Sequence, residues 1–152
     1  MKRSPLPLLI GALGIIIFSS NAVALAYYLY WRIPWLDIPM HFLGGLWVGL
    51  SILWLYYESG YIHLPKDKRG RGSVLTLALA GTFIIGVLWE IFEFSLDTFI
   101  VFQEVYNIGD TLLDLFMDEV GALVAAMVCL WMRCAGKSDE LEEKIEENII
   151  ES

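Results

Sequence analysis

One histidine and seven carboxylates are the residues best suited to chemistry, because they lie within otherwise apolar stretches of the chain. In chain order they are Asp37, His41, Glu90, Glu93, Asp97, Asp110, Asp114 and Asp118. Counting about 100° per helical residue, the members on each of three helices fall within an arc of about 80° or less. Each helix should therefore present one polar stripe. Glu119 points away from its stripe and is expected to have a different partner.

These residue types predict a cation site. Like charges within a few ångströms of one another disfavour ionisation, and no Lys or Arg lies near these acids in the same apolar stretches to balance them. Either some carboxyls stay protonated and hydrogen-bonded, or a cation sits among them. Carboxylates with one imidazole suit Mg²⁺, Mn²⁺, Ca²⁺, Zn²⁺ or non-haem iron. We therefore predict that all eight residues ligate a divalent metal ion, its identity open, with His41 as ligand or catalytic base.

Some of these residues also have simpler interpretations. Asp37, just before Ile38-Pro39, would suit a helix N-cap, and so would Asp110 after Gly109. A single histidine such as His41 is more often a hydrogen-bonded packing residue than a ligand. Capping does not explain the other acids, because they lie two or three turns inside their stretches, where an ionisable group is costly and usually functional.

Composition sets the environment of these acids. The chain has 152 residues, of which 57% are hydrophobic and 18% charged, and its mean hydropathy is +0.61. Seven of its 18 acids lie in the last 14 residues, so the body is more apolar still. These values exclude a soluble globular enzyme, a disordered chain and a secreted disulfide scaffold. The net charge of −8 also argues against nucleic acid as a partner.

The elements that must position the acids are membrane helices. A helix that crosses a bilayer needs about 20 mostly apolar residues, and four stretches qualify: residues 5–30, 37–57, 73–97 and 110–133. We predict an all-α, polytopic membrane helix bundle with four transmembrane helices in a domain over residues 1–136. The remaining residues, 137–152, should form an acidic cytoplasmic tail with a short helix.

Two segments are ambiguous. Lys2 and Arg3 precede an apolar run, and Ala22-Val23-Ala24 resembles a signal-peptidase site, so the first stretch could be cleaved. Cleavage would expose an aromatic end, and we expect the stretch to be retained as a membrane helix. Residues 99–106 are too short to span and are expected to lie along the outer interface.

Basic residues indicate the orientation, because Lys and Arg accumulate on the cytoplasmic side. Nine of the ten lie before the first stretch, between the second and third, or at or beyond the end of the fourth, and only Arg32 departs. We expect a multi-pass cell-membrane protein with both termini cytoplasmic. At about 1.5 Å per residue, His41 and Asp114 would share a level about 6 Å below the outer ends. The stripes would then form a layered acidic pocket that opens to the outside.

Three motifs, taken together, resemble those of the VanZ-like membrane proteins and the related YjdF-type proteins. They are Asp37-Ile-Pro-Met-His41-Phe, Gly86-Val-Leu-Trp-Glu90-Ile-Phe-Glu93 and Asp110-Thr-Leu-Leu-Asp114-Leu-Phe-Met-Asp118-Glu-Val-Gly121. The resemblance covers the last three predicted spans and implies that these acids form the family's site. Glu93 and Asp118 stand where VanZ-like proteins often have Gln and Asn. The pocket is therefore more acidic here, which favours a cation and the YjdF-type relatives.

Three function classes fit the residues. The first is a metal-dependent membrane enzyme that acts on lipid or lipid-linked envelope substrates at the outer leaflet. The second is a cation-transport or proton-coupled transport component, although the cytoplasmic halves of the helices lack a matching polar path. The third is a non-catalytic envelope protein with a structural, hydrogen-bonded acid cluster. The expected partners are the bilayer, a lipid-linked substrate and a second copy of the chain.

Overall fold

The protein is a bundle of apolar helices in the computed structural model, which describes residues 5–59, 70–96, 98 and 107–150, with side chains up to residue 132. The helices are α1 Leu6–Ala26, α2 Leu29–Arg32, α3 Asp37–Tyr57, α4 Arg71–Leu96 and α5 Ile108–Ile150, with a 3₁₀ turn at Pro34–Leu36. Every regular element in the described part is helical. The all-α prediction is therefore confirmed.

Four stretches of this described chain are long and apolar enough to cross a membrane. They are Leu6–Ala26, Pro34–Tyr57, Arg71–Leu96 and Ile108–Met132. The predicted segments 73–97 and 110–133 each begin two residues too late. The acidic tail is helical as expected, but it continues α5 without a break instead of forming a separate helix.

The first predicted span is interrupted near its end. α1 stops at Ala26, and Tyr28 has a left-handed backbone with φ 56° before the single turn of α2. A non-glycine residue in this region is uncommon, so the sequence gives little sign of the break. The reversal turns the aromatic residues after α1 into a short connection to α3.

The core forms where α3, α4 and α5 meet, and α5 packs most extensively against α3. α3 and α4 each bury a row of residues four apart: His41, Gly45, Gly49 and Leu53 on α3, and Val74, Ala78, Thr82 and Gly86 on α4. Residues at this spacing share one helix face. One half of the bundle is closed by an apolar cluster that includes Leu53, Ala78 and Ala126.

α1 lies outside this core and packs on α3. Trp47 joins the two helices, because its indole N–H donates to the Ile10 carbonyl oxygen at 3.0 Å. Its ring also meets Phe18 edge-on, with the centroids 5.8 Å apart. Gly14 supplies the space, since a Cβ there would lie 3.0 Å from Nε1 of Trp47.

Candidate cation site

His41 is the centre of a buried polar cluster at one end of the α3–α4–α5 core. Its Nδ1 lies 3.5 Å from Oδ1 of Asp118, and its Nε2 lies 3.7 Å from Oδ1 of Asp37 and 4.0 Å from Oδ1 of Asp114. His41, Asp114 and Asp118 are each at most 6% exposed. One imidazole therefore contacts carboxylates from two helices, with a different carboxylate set at each ring nitrogen.

The remaining acids of the cluster approach from α4. Ligand atoms of His41, Glu90 and Glu93 lie within 4.8 Å of one another, and so do those of Asp37, His41 and Asp114. Both groups have the size expected for residues that hold one ion, and His41 belongs to both. The predicted stripes of the three helices therefore face one another.

The structure brings most of the predicted residues together, but in different roles. Asp118 faces Nδ1 and lies outside both groups of potential ligands. Asp110 lies in the first turn of α5 and is near enough for its charge to act on Asp37 and Asp114. Asp97 and the expected interfacial segment at 99–106 lie outside the described residues.

The capping interpretations of two acids are wrong. Asp37 is the first residue of α3, whose N-cap is Leu36 with no side-chain cap bond. At α5 the capping side chain belongs to Asn107, whose Oδ1 accepts the backbone N–H of Gly109 at 3.0 Å. Both aspartates lie in the first turn of their helices. A negatively charged side chain there interacts favourably with the helix dipole.

Close backbone contact between α3 and α5 positions His41 and Asp118. A Cβ on Gly45 would collide with the backbone carbonyl oxygen of Asp118, and a Cβ on Gly121 would collide with that of Phe42. Small residues allow membrane helices to approach in this way. These two glycines therefore let the backbones of α3 and α5 touch beside His41 and Asp118, which fixes the position of the pair.

Tyr30 lies near enough to the cluster for the charges of Asp37 and Glu93 to act on it, a position that the sequence did not predict. Its hydroxyl donates to Oδ1 of Asn21 at 3.3 Å. Burial raises the pKa of Tyr30, and the negative charges of Asp37 and Glu93 raise it further. The available signal was a tyrosine seven residues before Asp37, but the direction of its side chain depended on the left-handed turn at Tyr28.

Three buried oxygen atoms of this region have no hydrogen-bond partner among the described residues: Oε1 of Glu90, Oγ1 of Thr82 and Oε1 of Glu119. Thr82 lies two turns before Glu90 on the buried row of α4, and Glu119 follows Asp118 on α5. Thr111 is a hydrogen-bond partner of the Glu90 carboxylate. An unsatisfied buried polar atom costs about 1–3 kcal/mol, and a bound ion or water is one way in which such a cost is met.

Four apolar helices of spanning length, three of which surround a buried histidine–carboxylate cluster, define an integral membrane protein of the all-helical class. The chain belongs to the family described as Predicted membrane protein (DUF2238), whose model matches residues 1–135. That range includes all four spans and every residue of the cluster. No curated protein and no solved structure matches the chain.

Proposed function

We propose that the protein binds a divalent cation in this cluster and acts with it on lipid or lipid-linked envelope substrates. The single observation that carries the proposal is the placement of His41 within ligand distance of acids from three helices. The motif resemblance to VanZ-like and YjdF-type proteins supports the same residues. The family model that matches the chain does not include this resemblance, which remains a prediction.

The two ring nitrogens of His41 suggest how the site works. Metal-binding histidines usually donate their other N–H to a carboxylate, which fixes the orientation of the ring. Asp118, 3.5 Å from Nδ1, is placed to accept that proton. The Nε2 lone pair is then left for a cation that Asp37 and Asp114 would also hold, while Glu90 and Glu93 offer ligands from α4.

The donor set fits a hard or borderline cation. Carboxylate oxygens are the ligands that Mg²⁺, Mn²⁺ and Ca²⁺ prefer, and one imidazole is common at Zn²⁺, Mn²⁺ and iron sites. The unpartnered Oε1 of Glu90 is an available ligand atom. When bound, such an ion would polarise a phosphoryl oxygen or activate water. The protein's own residues would orient His41, exclude water from the inner side and accept a proton.

The pocket is proposed to open to the outer face, with both termini in the cytoplasm. This orientation rests on the nine-to-one distribution of basic residues. The opposite half of the bundle is packed with Leu53, Ala78, Ala126 and neighbouring apolar side chains. A polar path through that half is absent from the described residues, which favours a site that works from one side over a transport pathway.

Metal analysis of the purified protein tests the proposal. The protein is extracted in detergent, stripped with a chelator, loaded with Mg²⁺, Mn²⁺, Ca²⁺ or Zn²⁺, and passed through a desalting column before elemental analysis. We expect stoichiometric retention of one of these ions by the wild type and its loss in Glu90→Gln. Glu119→Gln is the matched control, because Glu119 lies on α5 outside both ligand groups. Equal retention by the wild type and Glu90→Gln would disprove the site.

A further inference from the structure

A groove between α4 and α5 adjoins the cation site and shares Glu90 with it. It encloses about 420 Å³ and is lined by Val87, Glu90, Ile91, Phe94, Thr111 and Leu115. Ligand pockets typically enclose about 300–1,000 Å³ and are mainly apolar with a few placed polar groups. Four of the six lining residues here are apolar, and the two polar ones, Glu90 and Thr111, are hydrogen-bond partners.

The groove opens sideways, toward where lipid would be. All of its lining residues lie within the spans Arg71–Leu96 and Ile108–Met132. Ile91 and Phe94 are 56% and 46% exposed, so one wall faces away from the bundle. In a bilayer, that side of a spanning helix meets hydrocarbon. The chemistry that can fill the groove is therefore a lipid chain.

The inner end of the groove reaches the cation site. Glu90 belongs to the groove wall and also to the ligand group with His41 and Glu93. Gly86 lies between the opposite wall of the groove and the cluster. A Cβ on Gly86 would lie 3.1 Å from the Leu115 side chain and 2.8 Å from Oδ2 of Asp118. A molecule in the groove would thus have its hydrocarbon among Val87, Ile91 and Phe94 and its polar end beside the carboxylates.

We propose that this groove is a lateral entrance that binds one hydrocarbon chain of a membrane phospholipid and places its phosphate at the cluster. The phosphate half of this proposal rests on the proposed cation site. Carboxylates alone repel a phosphate, whereas a cation held by Glu90 and Glu93 attracts it. Lipid and cation should therefore bind with positive coupling, each raising the affinity for the other.

The experiment counts retained lipid. The full chain is reconstituted in vesicles of phosphatidylglycerol and phosphatidylethanolamine, extracted gently, and measured by native mass spectrometry with and without Mn²⁺. We expect the wild type to retain phosphatidylglycerol, and more of it with Mn²⁺. Ile91→Trp should fill the groove and abolish retention. Ile84→Trp is the matched control, because Ile84 is an equally exposed isoleucine two turns away on the same helix and outside the groove.

Each result has a defined meaning. Equal retention by the wild type and Ile91→Trp would overturn the groove proposal, and loss in Ile84→Trp as well would do the same. Val87→Trp, one turn earlier on the same wall of the groove, should repeat the loss. Loaded at saturating Mn²⁺, Ile91→Trp should still show normal Mn²⁺ content by elemental analysis, because the variant leaves the ligands of the cation in place. If the wild type binds no divalent ion but still loses lipid on Ile91→Trp, the cation site fails and the chain-binding groove stands.

Discussion

Gly86 on α4 leaves the space that the Asp118 carboxylate of α5 occupies. A Cβ on Gly86 would lie 2.8 Å from Oδ2 of Asp118, closer than real Cβ contacts allow. Asp118 in turn faces Nδ1 of His41. A glycine on one helix therefore sets the position of the carboxylate that orients the central histidine.

Gly86→Ala should displace the Asp118 carboxylate and weaken cation binding. Residues that orient a metal-binding histidine typically change metal affinity by about 10–100-fold when altered, and a loss of this order is expected. Gly44→Ala is the control, because a Cβ there would lie an ordinary 3.9 Å from the other oxygen of the same carboxylate. Isothermal titration in detergent measures both variants. Equal affinities in the two variants would show that Asp118 does not need this space.

Gly45→Ala should destabilise the whole bundle instead of only the site. The added methyl group would meet the Asp118 backbone, which cannot move as a side chain can, and overpacking of this kind costs about 1–3 kcal/mol. The midpoint of thermal unfolding should fall. Gly11→Ala on α1 should leave it nearly unchanged, since nothing lies within 4 Å of a Cβ there. A similar midpoint for both variants would contradict the close contact of α3 with α5.

The fold and the stripes were predictable from sequence, because both follow from local patterns. Apolar length predicted four spans, and helical spacing placed the acids of α3, α4 and α5 on faces that meet. The predicted depths were only partly useful. They placed His41 at one level with Asp114, yet its imidazole also contacts Asp37 and Asp118. Counting residues along a helix axis gives the depth of each Cα, whereas the two ring nitrogens of His41 reach carboxylates above and below that depth.

The roles within the cluster could not be predicted from sequence. Which carboxylate faces Nδ1 of His41 depends on the rotation of α3 against α5, and the contacts at Gly45 and Gly121 fix that rotation. The position of Tyr30 depends on the left-handed backbone of Tyr28, a conformation that a glycine would have indicated but a tyrosine does not. The helix rotation is set by tertiary contacts and the turn at Tyr28 is a rare backbone conformation, and the periodicity of the sequence predicts neither.

The orientation in the membrane makes a separate prediction. Single cysteines at Lys68 and Asn107, in a background without Cys129 and Cys134, should react with an impermeant thiol reagent from opposite sides. Asn107 directly precedes α5, at the end of the helix that carries the cluster, and the basic segment that contains Lys68 should be cytoplasmic. Labelling intact cells should therefore modify only the cysteine at Asn107. Labelling of Lys68→Cys alone would place the site on the cytoplasmic side.

Tyr30 should report the charge of the cluster. Its pKa is raised in the folded protein, so its stabilising contribution is complete below the unfolded value of about 10 and is lost as pH rises through the folded value. In an alkaline titration followed by tyrosinate absorbance, Tyr30→Phe should remove a late-ionising group. Asp37→Asn and Glu93→Gln should each lower that pKa, because each removes a negative charge near the phenol. A cation bound at the cluster should lower it as well. No change in the late phase with either variant would separate Tyr30 from the cluster.

A bound cation should also stabilise the fold by mass action. At a hundredfold excess over its dissociation constant, an ion that binds only the folded state contributes about 2.7 kcal/mol, which would raise the thermal midpoint in detergent. The carboxylates must be deprotonated to bind, so the shift should be largest near neutral pH and decrease as pH falls. Glu90→Gln and Asp114→Asn should lose most of the shift, because each removes a ligand from one of the two groups around His41. Glu119→Gln should keep it. If neither ligand variant reduces the shift, the ion binds elsewhere, and the acids are protonated partners in a hydrogen-bonded helix interface.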